Sequence, residues 1–215
     1  MKKAYIFDFD GTLVDSMPYW SRAQLRLLQE QGTAYPTDII ARVTPLGNTG
    51  AMHYYREQLG MQISVEQGVA RSIELSLADY RDVIPLKNGV EAFLRAAKAQ
   101  SISLNVLTAS PHVTLDPCLK RLGVYGLFDN VWSCEDFATT KSDPNIYTAA
   151  AEKIGTTVEN CVFFDDNIHA VATAAKAGMP TVGVYDLSGE SFADELKTTA
   201  DRYITSFADV VGEEF

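Results

Sequence analysis

The chain has 215 residues, 47% of them hydrophobic, and a formal net charge of -10 with a pI near 4.7. That length buries a sizeable core, as one large domain or a core with a modest insertion, and the acidic balance argues against nucleic acid, whose phosphates attract basic surfaces. Cys118, Cys134 and Cys161 form no C-x-x-C pair and no run of about 18 apolar residues occurs, so neither a zinc site, a disulfide framework nor a membrane span is expected.

The first predicted element is an apolar strand, Ala4-Tyr5-Ile6-Phe7, which runs into Asp8-Phe9-Asp10-Gly11-Thr12-Leu13-Val14-Asp15. The chain opens Met1-Lys2-Lys3, but Asp8 and Asp10 interrupt the apolar run before it reaches signal-peptide length, and a reduced, cytoplasmic setting is expected. Alternate strand residues point the same way, so Asp8 and Asp10 face one site at the strand's C-terminal edge, and Gly11 lets the chain turn. Two close carboxylates repel and prefer a shared cation. A hard divalent ion such as Mg²⁺ takes oxygen ligands and keeps waters that a phosphate can replace, so the pair suggests phosphate chemistry.

Residues 16–84 read as an all-helical insertion, with helical period and composition over Pro18–Gln31, Thr37–Val43, Thr49–Leu59 and Val65–Asp82. Placed at a strand's C-terminal end, such an insertion sits over the crevice where α/β proteins bind ligands, and a lid is the natural reading. From about residue 88 onward, strands alternate with amphipathic helices. The strands are Ser103–Leu107, Asn130–Ser133, Cys161–Phe164, Thr181–Val184 and Arg202–Ile204. Between them come helices at Val90–Ala99, Val113–Leu122, Pro144–Ile154, Ile168–Ala177 and Ser191–Thr198, with Gly123, Gly155 and Gly178 at helix ends. This alternation predicts an α/β fold: a parallel sheet covered on both faces.

Chemistry-bearing residues recur at strand ends. Leu104-Asn105-Val106-Leu107 ends in Thr108-Ala109-Ser110, where a hydroxyl and a small residue let an anion approach the backbone, so Thr108 is a phosphate-ligand candidate. Lys141 precedes a helix, where its ammonium can neutralise a nucleophile and phosphoryl oxygens. Val162-Phe163-Phe164 ends in Asp165-Asp166, and burying unpaired carboxylates costs several kcal/mol, roughly, unless a cation joins them.

Acid pair, hydroxyl, lysine and acid pair, in that order, make the chain resemble the haloacid-dehalogenase superfamily along nearly its whole length. Within it the chain is similar to the small α-helical-cap subgroup of phosphoglycolate-phosphatase-like and β-phosphoglucomutase-like proteins. The resemblance implies a Rossmann-like three-layer core over residues 1–15 and 85–215 and an α-helical cap over 16–84. It implies that Asp8 attacks phosphorus to give an aspartyl-phosphate, while Asp10 protonates the leaving alcohol and then activates water. It places Mg²⁺ on Asp8, the main-chain carbonyl of Asp10 and Asp166, with Asp165 close by. Thr108, the Ala109 amide and Lys141 then hold the phosphoryl oxygens.

The expected activity is therefore a Mg²⁺-dependent phosphatase for a small phosphorylated metabolite, acting as a monomer or homodimer without nucleic acid or membrane. Asp10 argues against halide displacement, since dehalogenases of the superfamily generally lack that second acid. The alternatives are a phosphomutase and a non-catalytic binding protein. Mutases of the subgroup carry a His shortly after the first motif and an Arg-Gly-x-x-Arg cap loop, where this chain has Trp20 and Thr44-Pro45-Leu46-Gly47-Asn48-Thr49. The third motif departs from the usual Lys-Pro, with Ser142-Asp143 intervening before Pro144, and His169 takes a place where a further Asp is common. Tyr19, Trp20 and Arg56 are the expected substrate-facing residues of the cap. His53, His112 and His169 are assigned no role.

Overall fold

The computed structural model describes residues 3–215; Met1 and Lys2, with which the chain opens, lie outside the described residues. Six strands, β1 (Ala4–Phe7), β2 (Ser103–Thr108), β3 (Asn130–Ser133), β4 (Cys161–Asp165), β5 (Thr181–Val184) and β6 (Arg202–Ile204), form one sheet. Their order is β3-β2-β1-β4-β5-β6 and every pairing is parallel. A parallel sheet buried on both faces needs near-continuous apolar strands, and β1, β2, β4 and β5 are buried throughout.

The period of two sorts side chains between layers. Tyr5 and Phe7 join Phe164, Val106 and the apolar faces of α5 (Val90–Ala99) and α6 (His112–Arg121) on one side. Ala4, Ile6 and Phe163 meet α7 (Asn145–Ile154) and α8 (Ile168–Lys176) on the other. The result is the expected three-layer α/β core. Phe7 stacks on Phe164 with centroids 4.7 Å apart, which holds the ends of β1 and β4 side by side immediately before Asp8 and Asp165.

Between β1 and α5 lie α1 (Met17–Glu30), α2 (Ile39–Val43), α3 (Gly47–Leu59) and α4 (Val65–Asp82). They bury a cluster of their own, including Leu27, Leu28, Val43, Met52 and Tyr55. Helix α4 starts on a capping box, with Ser64 and Gln67 satisfying each other's backbone amides. Helix α2 is shorter than its sequence pattern, because Thr37 and Asp38 are spent in the turn that Pro36 opens before it. The predicted helix over Ser191–Thr198 divides instead: a 3₁₀ turn covers Leu187–Phe192, and α9 runs from Ala193 to Thr199. Among the described residues no helix is long and apolar enough to cross a membrane.

Candidate active site

Strand β1 stands at the centre of the sheet, with β2 on one side and β4 on the other, so the chain reverses its winding direction there. Crevices outside the carboxyl ends of strands at such a point are where open α/β sheets bind ligands. Asp8 directly follows β1, Thr108 ends β2 and Asp165 ends β4. The Asp8 amide donates to the Phe164 carbonyl at 2.9 Å, so the β1–β4 ladder continues to the carboxylate and fixes its position.

Asp8, Asp165 and Asp166 each offer a carboxylate oxygen within 4.8 Å of the others. Lys141 joins two of them, its Nζ donating to Asp8 Oδ1 at 2.6 Å and to Asp165 Oδ2 at 2.8 Å. Asp8 Oδ2 accepts no hydrogen bond among the described residues. Burial would lower the Lys141 pKa, but the charges of Asp165 and Asp8 more than reverse this and hold it well above the usual lysine value. Asp165 accepts the Asn167 amide on Oδ1 at 2.7 Å. Asp166 receives the Thr12 hydroxyl on Oδ1 at 2.9 Å and returns its own amide to Thr12 Oγ1 at 3.1 Å.

The trio carries more negative charge than one lysine offsets. Burial, more than the Lys141 charge opposes, pushes Asp165 up to about 7. Burial and the charges of Asp165 and Asp8 push Asp166 well above the carboxylate range. Three converging carboxylates with one lysine between them, two of them pushed up by burial and by one another, form a donor set that fits a hard divalent cation. Gly11 turns at φ +74°, and a Cβ there would meet Asp166 Oδ2 at 2.5 Å, so only glycine lets the first loop lie against this acid.

The Asp10 carboxylate is not part of the trio. It receives the Tyr80 hydroxyl on Oδ1 at 2.6 Å and the Ser110 hydroxyl on Oδ2. The buried Ser16 hydroxyl adjoins this pair without a hydrogen bond of ordinary geometry. Burial, then the Asp8 charge, raises the Asp10 pKa against these donors, which suits a group that carries a proton. Thr108 is buried and its Oγ1 accepts the Ser110 amide at 3.1 Å; Ala109 between them is exposed.

Asp8, Asp10, Thr108, Ala109, Lys141, Asp165 and Asp166 thus gather at one sheet edge. The three expected cap residues lie on α1 and α3. Arg56 lies in the last turn of α3, where a cation suits the helix dipole, and lines a separate hollow of about 380 Å³ with His53, Glu57, Met61 and Gln62. Tyr19 rests against the sheet-side core, with the Arg22 guanidinium 5.1 Å from its ring centroid, and Trp20 packs on the helical cluster of α1–α4.

Sequence reasoning missed Tyr80, Ser110, Thr12 and Lys87. Lys87 Nζ donates to the carbonyls of Gly11 at 2.6 Å and Tyr185 at 2.5 Å and to Asp186 Oδ2 at 3.0 Å, pinning the first loop to the end of β5. Ser110 and Thr12 stood inside motifs already singled out, and their hydroxyls were the available signal. Tyr80 is 70 positions from its partner and carries no local signature.

A model of the haloacid dehalogenase-like hydrolase family matches residues 2–178. Hexitol phosphatase B of Escherichia coli is 26% identical over 218 residues, covering 98% of this chain and 95% of that protein. A phosphorylated carbohydrates phosphatase of Thermotoga maritima is 27% identical, with 84% and 83% covered. Among solved structures, CbbY from Rhodobacter sphaeroides in complex with phosphate superposes with a TM-score of 0.83 at 21% identity, covering 98% of this chain and 96% of that one. The β-phosphoglucomutase of Clostridium difficile gives 0.79 at 19% identity, with 98% and 93% covered. A match over most of the chain, on the fold and the order of site residues described above, means that this protein belongs to the haloacid dehalogenase-like hydrolases.

Proposed function

We propose that the protein is a Mg²⁺-dependent phosphatase that hydrolyses a small phosphorylated metabolite through an aspartyl-phosphate on Asp8. The observation that carries this reading is the division of labour among the carboxylates. Asp8 is clamped through one oxygen by Lys141 with the other oxygen open, while Asp10 is held apart by two hydroxyl donors and kept easy to protonate. Asp8 attacks phosphorus, and Asp10 gives its proton to the leaving alcohol and then takes one from water. Thr108, the Ala109 amide and Lys141 hold the phosphoryl oxygens. Asp8, the Asp10 carbonyl and Asp166, with Asp165 beside them, would hold Mg²⁺, which when bound offsets charge on the transferring phosphoryl group.

In this reading residues 16–84 form a cap domain over a core of residues 1–15 and 85–215. The names of the relatives support a sugar or sugar-alcohol monophosphate as substrate. The test is phosphate release from a panel of hexitol and hexose phosphates, phosphoglycolate and nucleotides, with Mg²⁺ and with chelator. Release from at least one sugar phosphate that stops with chelator is expected. Hexose-phosphate interconversion without net release would sink the reading in favour of a mutase.

A second expectation follows from the acids. Groups whose folded pKa is raised stabilise the fold below their unfolded value and lose that contribution as pH rises through the folded one. For Asp165 the window runs from the ordinary 3.8 to about 7. Chelated protein is therefore expected to lose melting temperature between pH 5 and pH 8, and Mg²⁺ to raise it more at pH 8 than at pH 5. Equal Mg²⁺ stabilisation at both pH values would remove this electrostatic account of the trio.

A further inference from the structure

His112 opens α6 two positions after Ser110. Its Nδ1 lies 2.9 Å from Asp116 Oδ1 and its Nε2 lies 2.9 Å from Asp136 Oδ2. Both partners are carboxylates, which accept and do not donate when ionised, whereas a neutral imidazole has one N–H and one lone pair. Two such contacts at hydrogen-bond length need a proton on each ring nitrogen. The ring is held as an imidazolium.

This cation ties together two parts of the site. Asp136 Oδ2 also accepts the Ser133 amide at 2.9 Å, and Ser133, the last residue of β3, pairs in register with Thr108, the last residue of β2. One contact of His112 therefore reaches the turn Cys134–Phe137, which leads through Thr139 and Thr140 to Lys141, while its backbone continues the loop that carries Thr108, Ala109 and Ser110. Hydrogen bonds donated to Asp116 and Asp136 raise the ring pKa above its ordinary value. The neighbouring charges are known from each element. On α6, Lys120 Nζ lies 3.8 Å from Asp116 Oδ2; the Tyr125 hydroxyl donates to that oxygen at 3.4 Å from the turn after α6. Glu135 adjoins Asp136 in its turn, and the charge of Lys153 of α7 acts to lower the Asp136 pKa.

We propose that His112 is a positioning residue whose imidazolium locks the Thr108–Ser110 phosphate loop to the turn that leads to Lys141, and that its deprotonation loosens the phosphoryl cradle. The proposal rests on the phosphatase reading above. The sign follows from the proton count: below the ring's raised pKa the bridge is complete, and above it one lone pair faces a carboxylate and that contact opens.

The test compares wild type, His112→Gln and Asp136→Asn, each first shown by thermal melting to be folded. Nitrogen-15 shifts of the His112 ring are followed against pH, together with kcat, KM for p-nitrophenyl phosphate and the inhibition constant of inorganic phosphate. In wild type both ring nitrogens are expected to be protonated at neutral pH. KM and the phosphate inhibition constant then rise about three- to tenfold as the ring titrates, the size of one half-exposed charge-assisted bond. In His112→Gln both constants are already raised and lack that limb, with kcat changed less than KM. In Asp136→Asn the limb moves to lower pH. A ring with one bare nitrogen at neutral pH, or the same pH profile in wild type and His112→Gln, would overturn the proposal. Should wild type release no phosphate from any substrate, the phosphatase reading fails, and the ring shifts and direct binding of inorganic phosphate still decide the lock.

Discussion

Asp8→Asn is expected to lower phosphate release by about 10⁴-fold or more while leaving the fold intact, in line with removal of a nucleophile from an assembled site. The substitution keeps the shape of the side chain and the backbone bond from Asp8 to the Phe164 carbonyl. It also removes one of three crowded negative charges, since Asp8 contributes to the raised pKa of both Asp165 and Asp166. The chelated variant is therefore expected to be no less stable than chelated wild type. Steady-state phosphate release and thermal melting on the same preparation check both halves; a variant that melts normally and still turns over near the wild-type rate would mean that another group attacks phosphorus.

Lys141→Met carries the second large effect. Loss of the ammonium is expected to cost about 10²- to 10³-fold in turnover, because it removes a fixed positive charge from where charge accumulates on the transferring group. Stability should fall as well. Lys141 Nζ is shared between Asp8 and Asp165, whose side chains are only 8% and 0% exposed, and stripping one partner from a buried ion pair typically costs about 3–5 kcal/mol. The cost depends on pH in a defined direction: Asp165 can take up a proton in place of the ammonium at low pH and not at high pH, so chelated Lys141→Met should lose more stability at pH 8 than at pH 5. Urea unfolding at the two pH values measures this. An equal loss at both would show that packing of the lysine stem, not its charge, dominates.

The parts of this protein that were legible in its sequence are those that local rules determine. Asp8 and Asp165 could be found because each stands at the C-terminal end of an apolar strand, and strands in a parallel sheet deliver what stands there to the same edge as their neighbours. Lys141 was found from its place between those motifs, and its two carboxylate bonds explain why that place matters. The helical segment after β1 was legible from its period. What pairs across long separations was not: Tyr80 reaches Asp10 from α4, and Lys87 reaches the Gly11 carbonyl, through contacts that no window of sequence contains. Arg56 shows the converse limit. A helix pattern says that a residue is on a surface but not which surface, and the last turn of α3 carries this one to a hollow of its own. His112 was passed over because its meaning lies in two carboxylates, one on its own helix and one 24 positions away.

The central claim is that phosphoryl transfer passes through Asp8. Wild type mixed with Mg²⁺ and a phosphorus-32-labelled hexitol phosphate, quenched in acid on the millisecond scale and digested, tests it most directly. The account predicts label on the peptide that contains Asp8 before label appears as free phosphate, and neither in Asp8→Asn nor with chelator present. Free phosphate released with no protein-bound label at any time, at a rate unchanged in Asp8→Asn, would contradict it.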